Sequence, residues 1–117
     1  MIKIVSINTA RGDNLAGIMQ LVSYIDVILF QEITMSVEQL QQRLGIGYKV
    51  WVSHGEGILG IAIAINSKIE DVDVQAVVPG RLQVCQIGNC KVIHVYAPAG
   101  TNLSGERRIS SLHIESS

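Results

Sequence analysis

Short apolar runs open this chain and alternating ones follow. Residues 2–7 form an apolar run too short for a helix and read as a buried strand. Residues 26–31 (DVILFQ) read the same way. Between them, Asn14 can cap a helix that carries Leu15, Ile18, Met19 and Val22 on one face. Ser36 with Gln39 three places on is a capping-box pattern, which predicts a helix through Leu40 that stops near Gly45 and Gly47. Strand, helix, strand, helix implies two parallel strands joined by crossover connections.

From Tyr48 onward the period shortens. Residues 48–53, 60–65, 69–78, 82–87 and 91–96 all read as strands, separated by short turns rich in Gly, Pro, Asn and Ser. Gaps of this length fit hairpins, so the stretch is expected to be an antiparallel meander. Ser104 can start a further helix through Ile109 and Leu112. The fold class expected is α/β: one domain over residues 1–117, with two parallel strands and their helices followed by the meander.

Composition narrows this reading. The chain has 117 residues, of which 48% are apolar and only 4% aromatic, so the core must be built mostly from Ile, Val, Leu and Ala. Such β-branched content favours strands. The net charge of −1 provides no general basic field, so a nucleic-acid partner would have to be met by local patches. No stretch is apolar enough for long enough to span a bilayer, and the opening MIKIV reads as a strand. The expectation is an intracellular protein, in nucleus or cytoplasm, with no membrane partner. Cys85 and Cys90 flank a Gly88-Asn89 turn. A two-residue loop sets Cys90 opposite Ile87 and Cys85 opposite Val92, which leaves the thiols diagonal neighbours roughly 7–8 Å apart. That is at or beyond disulfide reach, so two buried free thiols are expected.

Asn8, Glu32 and Tyr96 stand at the ends of apolar strands, where a sheet projects groups into a cleft. A carboxylate there can hold Mg²⁺, an amide can orient a water or phosphate, and a phenol can donate to a phosphate oxygen. Each also has a plain structural role. Asn8 can open a turn before Ala10, Arg11 and Gly12, Glu32 can be a solvated residue at a strand end, and Tyr96 can be a packed aromatic beside Ala97-Pro98. His54 and His94 read as loop or sheet-face residues, and Arg107-Arg108 as a solvated face.

At these positions the chain resembles the endonuclease/exonuclease/phosphatase superfamily, and within it the endonuclease domains of LINE-type retrotransposons and their apurinic-endonuclease relatives. The segments that carry the resemblance occur in family order: Ile4-Val5-Ser6-Ile7-Asn8, Asp26-Val27-Ile28-Leu29-Phe30-Gln31-Glu32, Ser53-His54-Gly55 followed by Gly60-Ile61-Ala62-Ile63, Gly80-Arg81-Leu82, and Val95-Tyr96-Ala97-Pro98. The resemblance implies the front half of a four-layered α/β sandwich. It implies Glu32 as ligand to Mg²⁺ or Mn²⁺, Asn8 holding phosphate or metal-bound water, and Tyr96 on the scissile phosphate of a DNA substrate. The departures are as informative. The family's later Asp-x-Asn motif, further Asp and closing Asp-His pair have no counterpart here, since no Asp follows Asp73. His113 is not equated with the closing His. Leu59 stands where LINE-type relatives often carry Arg. The expectation is therefore a phosphodiester hydrolase incomplete on its base side and inactive alone, completed by a second chain or self-associating. The alternatives are a non-catalytic binding module that keeps the fold, or a fragment of a superfamily phosphatase or phospholipase.

Overall fold

The computed structural model describes residues 2–9, 24–97 and 109–116. They form two four-stranded sheets. In the first, β1 (Ile4–Asn8), β2 (Val27–Ile33), β3 (Tyr48–His54) and β4 (Gly60–Asn66) lie in the order β1-β2-β4-β3. In the second, β5 (Val72–Val78), β6 (Leu82–Ile87), β7 (Cys90–Ala97) and β8 (Ile109–Ser116) lie in sequence order. β1 runs parallel to β2, with Ile4 opposite Val27 and Asn8 opposite Gln31. All other pairings are antiparallel.

The helix α1 (Val37–Leu44) covers one face of the first sheet. Its capping box is formed: the Ser36 hydroxyl accepts from the Gln39 amide and the Gln39 side chain accepts from the Ser36 amide. Such a cap contributes about 1 kcal/mol. Gly45, at φ 80°, ends the helix and returns its N–H to the Gln41 carbonyl. Leu40 and Leu44 pack with Ile28, Phe30, Ile33, Ala62 and Ala64. The opposite face of the sheet packs on the second sheet, where Val27, Leu29, Ile63 and Ile65 meet Cys85, Ile87 and Val92. The alternation Ile-Ala-Ile-Ala-Ile in β4 explains its central place. Ile63 and Ile65 fill the space between sheets, while the small Ala62 and Ala64 let the helix approach.

The structure corrects the expected fold class. The described residues are mostly β, with a single helix among them, and not an α/β sandwich with several helices. The helix expected from Ser104 through Ile109 and Leu112 is instead β8, paired along its length with β7 from Cys90↔Ser116 to Ala97↔Ile109. Spacing of three between Ile109 and Leu112 suits a helix, but spacing of two between Leu112 and Ile114 suits a strand. The ladder decides, because it satisfies the backbone donors and acceptors along the edge of β7. The helix expected from Asn14 lies outside the described residues. The meander is also divided: β3 and β4 complete the first sheet beside β2, and only β5 onward forms the second. A continuous meander would have left β2 as an apolar edge, and this strand is buried at every position.

The Gly88-Asn89 hairpin has the expected register, with Ile87 opposite Cys90 and Cys85 opposite Val92. Both cysteines are free, but only Cys85 is buried; Cys90, at the hairpin, is half-buried. Among the described residues no helix is long and apolar enough to cross a membrane.

Candidate functional site

The site begins with a defect in β2. Gln31 pairs with Ile61 and Ile33 pairs with Gly60, so Glu32 is an extra residue, a β-bulge. Its φ is 57°, in the left-handed region that a non-glycine residue rarely occupies. Without the bulge, alternation would send Glu32 to the helix side with Ile28 and Phe30. With it, Ile33 takes the helix side and Glu32 is re-aimed. Thr9, fully buried just past β1, holds the bulge in place. Its amide donates to the Gln31 carbonyl, and its hydroxyl lies 3.1 Å from that carbonyl and 2.9 Å from the Glu32 carbonyl.

Tyr96 approaches from the other sheet. β7 delivers it to the same end of the molecule, and its hydroxyl donates to Glu32 Oε2 at 3.0 Å. Both side chains are buried, Glu32 at 7% exposure and Tyr96 at 3%. Asn8, the third expected site residue, ends β1 directly opposite Gln31 and is exposed. The three strand ends thus converge: Glu32 and Tyr96 touch, and Asn8 is one ladder position from Glu32.

Behind this pair lies a polar layer that sequence reasoning passed over. Gln31, Gln83 and His94 are all buried between the sheets. The Gln31 amide nitrogen contacts the Ser6 hydroxyl, the Leu29 carbonyl and His94 Nε2. Burial lowers the His94 pKa from its ordinary 6.5 to about 4, so the ring is neutral. The signal was available: on β2, β6 and β7 alternation places these polar residues on the same face as Leu29, Cys85 and Val92. His94 is indeed a sheet-face residue. His54 sits at the end of β3, where its Nε2 meets the Met35 carbonyl at 2.9 Å.

Three further segments meet beside Tyr96. The Ser53 hydroxyl accepts from the Gly80 amide, and the Arg81 carbonyl accepts from the Tyr96 amide. Gly55 and Gly80 are in backbone contact. A Cβ on Gly55 would lie 2.6 Å from the Pro79 carbonyl oxygen, and one on Gly80 would lie 2.5 Å from the Gly55 nitrogen. Only glycine permits the two loops to close this tightly. Together they border a cavity of about 240 Å³ lined by Glu56, Ile58, Leu59, Gly80, Arg81 and Tyr96. The cavity presents one guanidinium, one carboxylate (Glu56) and one tyrosine, with Ile58 and Leu59 as its apolar wall.

Among the described residues no three His, Cys, Asp or Glu side chains gather. At this end the described carboxylates are Glu32, bonded to Tyr96, and Glu56 on the wall of the adjoining cavity. The oxygen donors present suit Mg²⁺ or Mn²⁺ and would not favour a soft metal. Mg²⁺ is commonly held by one or two carboxylates, with waters and substrate phosphate oxygens completing its shell. The free thiols lie at the apolar end of the sheets and take no part. No family model matches this chain, and no curated protein matches it.

Proposed function

We propose that this chain supplies the metal-binding side of a Mg²⁺-dependent phosphodiester hydrolase of the DNA-endonuclease type. The observation that carries the reading is the Tyr96–Glu32 hydrogen bond, made between two sheets by a carboxylate on a strained bulge. Non-glycine residues held at positive φ cost of order 1–3 kcal/mol and cluster at functional sites. Glu32 would hold the cation, Tyr96 would orient the carboxylate and reach the phosphate, and Asn8 would orient water or phosphate at the neighbouring strand end. When bound, the cation supplies Lewis-acid stabilisation of phosphate charge and a lowered pKa for water. Arg81, which lines the adjoining cavity together with Glu56, would be the group there to meet a phosphate.

By the resemblance, the Asp-x-Asn, further Asp and Asp-His pair of the base side have no counterpart among these residues. Loss of a general base costs a factor of ~10²–10⁴, so this chain alone is expected to leave DNA intact. A second contributor would complete the site. The burial of both partners also favours a second reading, in which the fold is kept as a non-catalytic binding module and the Tyr96–Glu32 bond is structural.

Mn²⁺ titration of the wild type and of Glu32→Gln separates the two. The hydrolase reading expects binding by the wild type that is lost in the variant. Absence of binding by the wild type favours the module. Supercoiled and abasic DNA incubated with Mg²⁺ should stay un-nicked; nicking that disappears in Glu32→Ala would overturn the reading of an incomplete site.

A further inference from the structure

The buried polar layer beneath Glu32 and Tyr96 is more ordered than a chance collection of amides. The orientation of each glutamine is set by a backbone carbonyl. Gln31 turns its amide nitrogen to the Leu29 carbonyl at 3.3 Å, and Gln83 turns its own to the Trp51 carbonyl at 3.2 Å. A flipped amide would set oxygen against oxygen in both places. Gln31 Nε2 can only donate, and it lies 2.8 Å from His94 Nε2. The proton between them belongs to Gln31, so His94 Nε2 accepts and the neutral ring carries its hydrogen on Nδ1. Among the described residues that Nδ1 has no partner, and neither does Gln83 Oε1. One is a donor and the other an acceptor, and the ladder sets Gln83 directly opposite His94 on the inward face. Gln83 spans the gap between the sheets on its own account, through its bond to the Trp51 carbonyl of the first sheet.

We propose that Gln31, His94 and Gln83 form a polar crosspiece between the two sheets, and that His94 is a positioning residue which keeps the Tyr96 hydroxyl on Glu32. Each end of the crosspiece abuts the site. Gln31 precedes Glu32 in the chain and accepts Thr9 at its carbonyl, while His94 is two residues from Tyr96 on the same face of β7. A relative slide of the sheets would break the Gln31–His94 contact and the Glu32–Tyr96 bond together, because both span the same gap. An apolar filling would hold the sheets together without fixing their offset, since hydrophobic contact is non-directional. The bearing of the crosspiece on metal chemistry rests on the reading of Glu32 as a ligand; its bearing on Tyr96 does not.

The test is nuclear magnetic resonance of the full chain at pH 7, with ¹⁵N in histidine and ¹³C at the tyrosine Cζ. The expected spectrum shows His94 as the Nδ1–H tautomer. His94→Gln, which keeps one acceptor and one donor, should leave the Tyr96 Cζ signal in place. His94→Leu should move it toward the position of a water-exposed phenol while the amide spectrum stays dispersed, and Gln83→Leu should move it the same way by less. An Nε2–H tautomer in the wild type overturns the proposal, as does an unmoved Tyr96 signal in a folded His94→Leu or Gln83→Leu chain. Gln83→Leu removes one arm only and serves if His94→Leu does not fold. Mn²⁺ added to the same samples is read separately. A wild type that binds none removes the metal reading of Glu32 and leaves the crosspiece to stand or fall on the tyrosine signal.

Discussion

The layer between the two sheets has an apolar end and a polar end, built by the same strands. β2 contributes Val27 and Leu29, then Gln31. β6, read in the opposite direction, contributes Ile87 and Cys85, then Gln83. β7 contributes Val92, then His94 and Tyr96. On β1 the same face passes from Ile4 to Ser6 and Asn8. These four strands change character together, so the change is shared between the two sheets, while β4 stays apolar through Ile61 opposite Gln31. The apolar end needs only to exclude water, and its contacts have no preferred direction. The polar end must satisfy donors and acceptors in pairs, because each one left unmet under burial costs about 1–3 kcal/mol. It is also where the backbone is bent into a left-handed bulge. One end of the layer excludes water, and the other pairs donors with acceptors across the sheets.

The sharpest way to break this contrast is to truncate a residue at the apolar end. Leu29→Ala removes a fully buried side chain, and a loss of about 2–5 kcal/mol is expected in urea or guanidinium unfolding. Gln31→Ala, two residues away on the same face, should cost less. A larger loss at Gln31 than at Leu29 would show that the polar end carries the fold.

Next in size is the pH dependence at the polar end. Unfolded His94 takes up its proton near pH 6.5, whereas the buried ring does so only near pH 4. Between those values only the unfolded chain binds the proton, so the stability contribution is full above pH 6.5 and is lost as pH falls toward 4. Its direct partner Gln31 and its cross-strand neighbour Gln83 are uncharged and offer the cation nothing. The gap corresponds to roughly 3 kcal/mol. Denaturation midpoints of the wild type should fall across this window, and those of His94→Gln should fall less. Parallel curves for the two proteins would contradict the assignment.

The strain at the bulge is smaller and is best isolated by comparing two variants. Glu32→Gly and Glu32→Ala both remove the carboxylate, but only glycine is at ease at φ 57°. The glycine variant should be the more stable of the pair by about 1 kcal/mol, as read from their unfolding midpoints. Equal stabilities would mean that the backbone relaxes once the side chain is gone.

The smallest effect expected is on reactivity at the apolar end. Burial, with Cys90 and Asp73 adding to it, pushes the Cys85 thiol up to about 12. At pH 8 it should resist iodoacetamide in the native protein and react on unfolding, as followed by mass spectrometry. Rapid native labelling of Cys85 would mean that the apolar end opens.

Much of the fold was legible because it rests on local signals. The capping box at Ser36 and Gln39, the stop at Gly45 and the Gly88-Asn89 hairpin depend on residues within a few positions of one another. In the second sheet β5, β6 and β7 announce themselves by alternation, whereas β8 was expected as a helix. Of the site, the strand-end positions of Asn8, Glu32 and Tyr96 were legible, whereas the polar layer of Gln31, Gln83 and His94 was visible as a pattern and overlooked. Their common face becomes apparent only when the three strands are read together.

What the sequence determined by itself is the set of elements whose cause is short-range: caps, turns and the alternation that assigns each side chain to a face. The tertiary structure decided the rest. It placed β4 between β2 and β3, because a strand as apolar as β2 must be covered on both edges and both faces. It made a strand of residues 109–116, because the edge of β7 offered a ladder that local spacing could not foresee. It turned Glu32 out of register, with no glycine to announce the bulge, so that a carboxylate from one sheet meets a phenol from the other. These are pairings between residues far apart in the chain, and their energies appear only once both partners are in place.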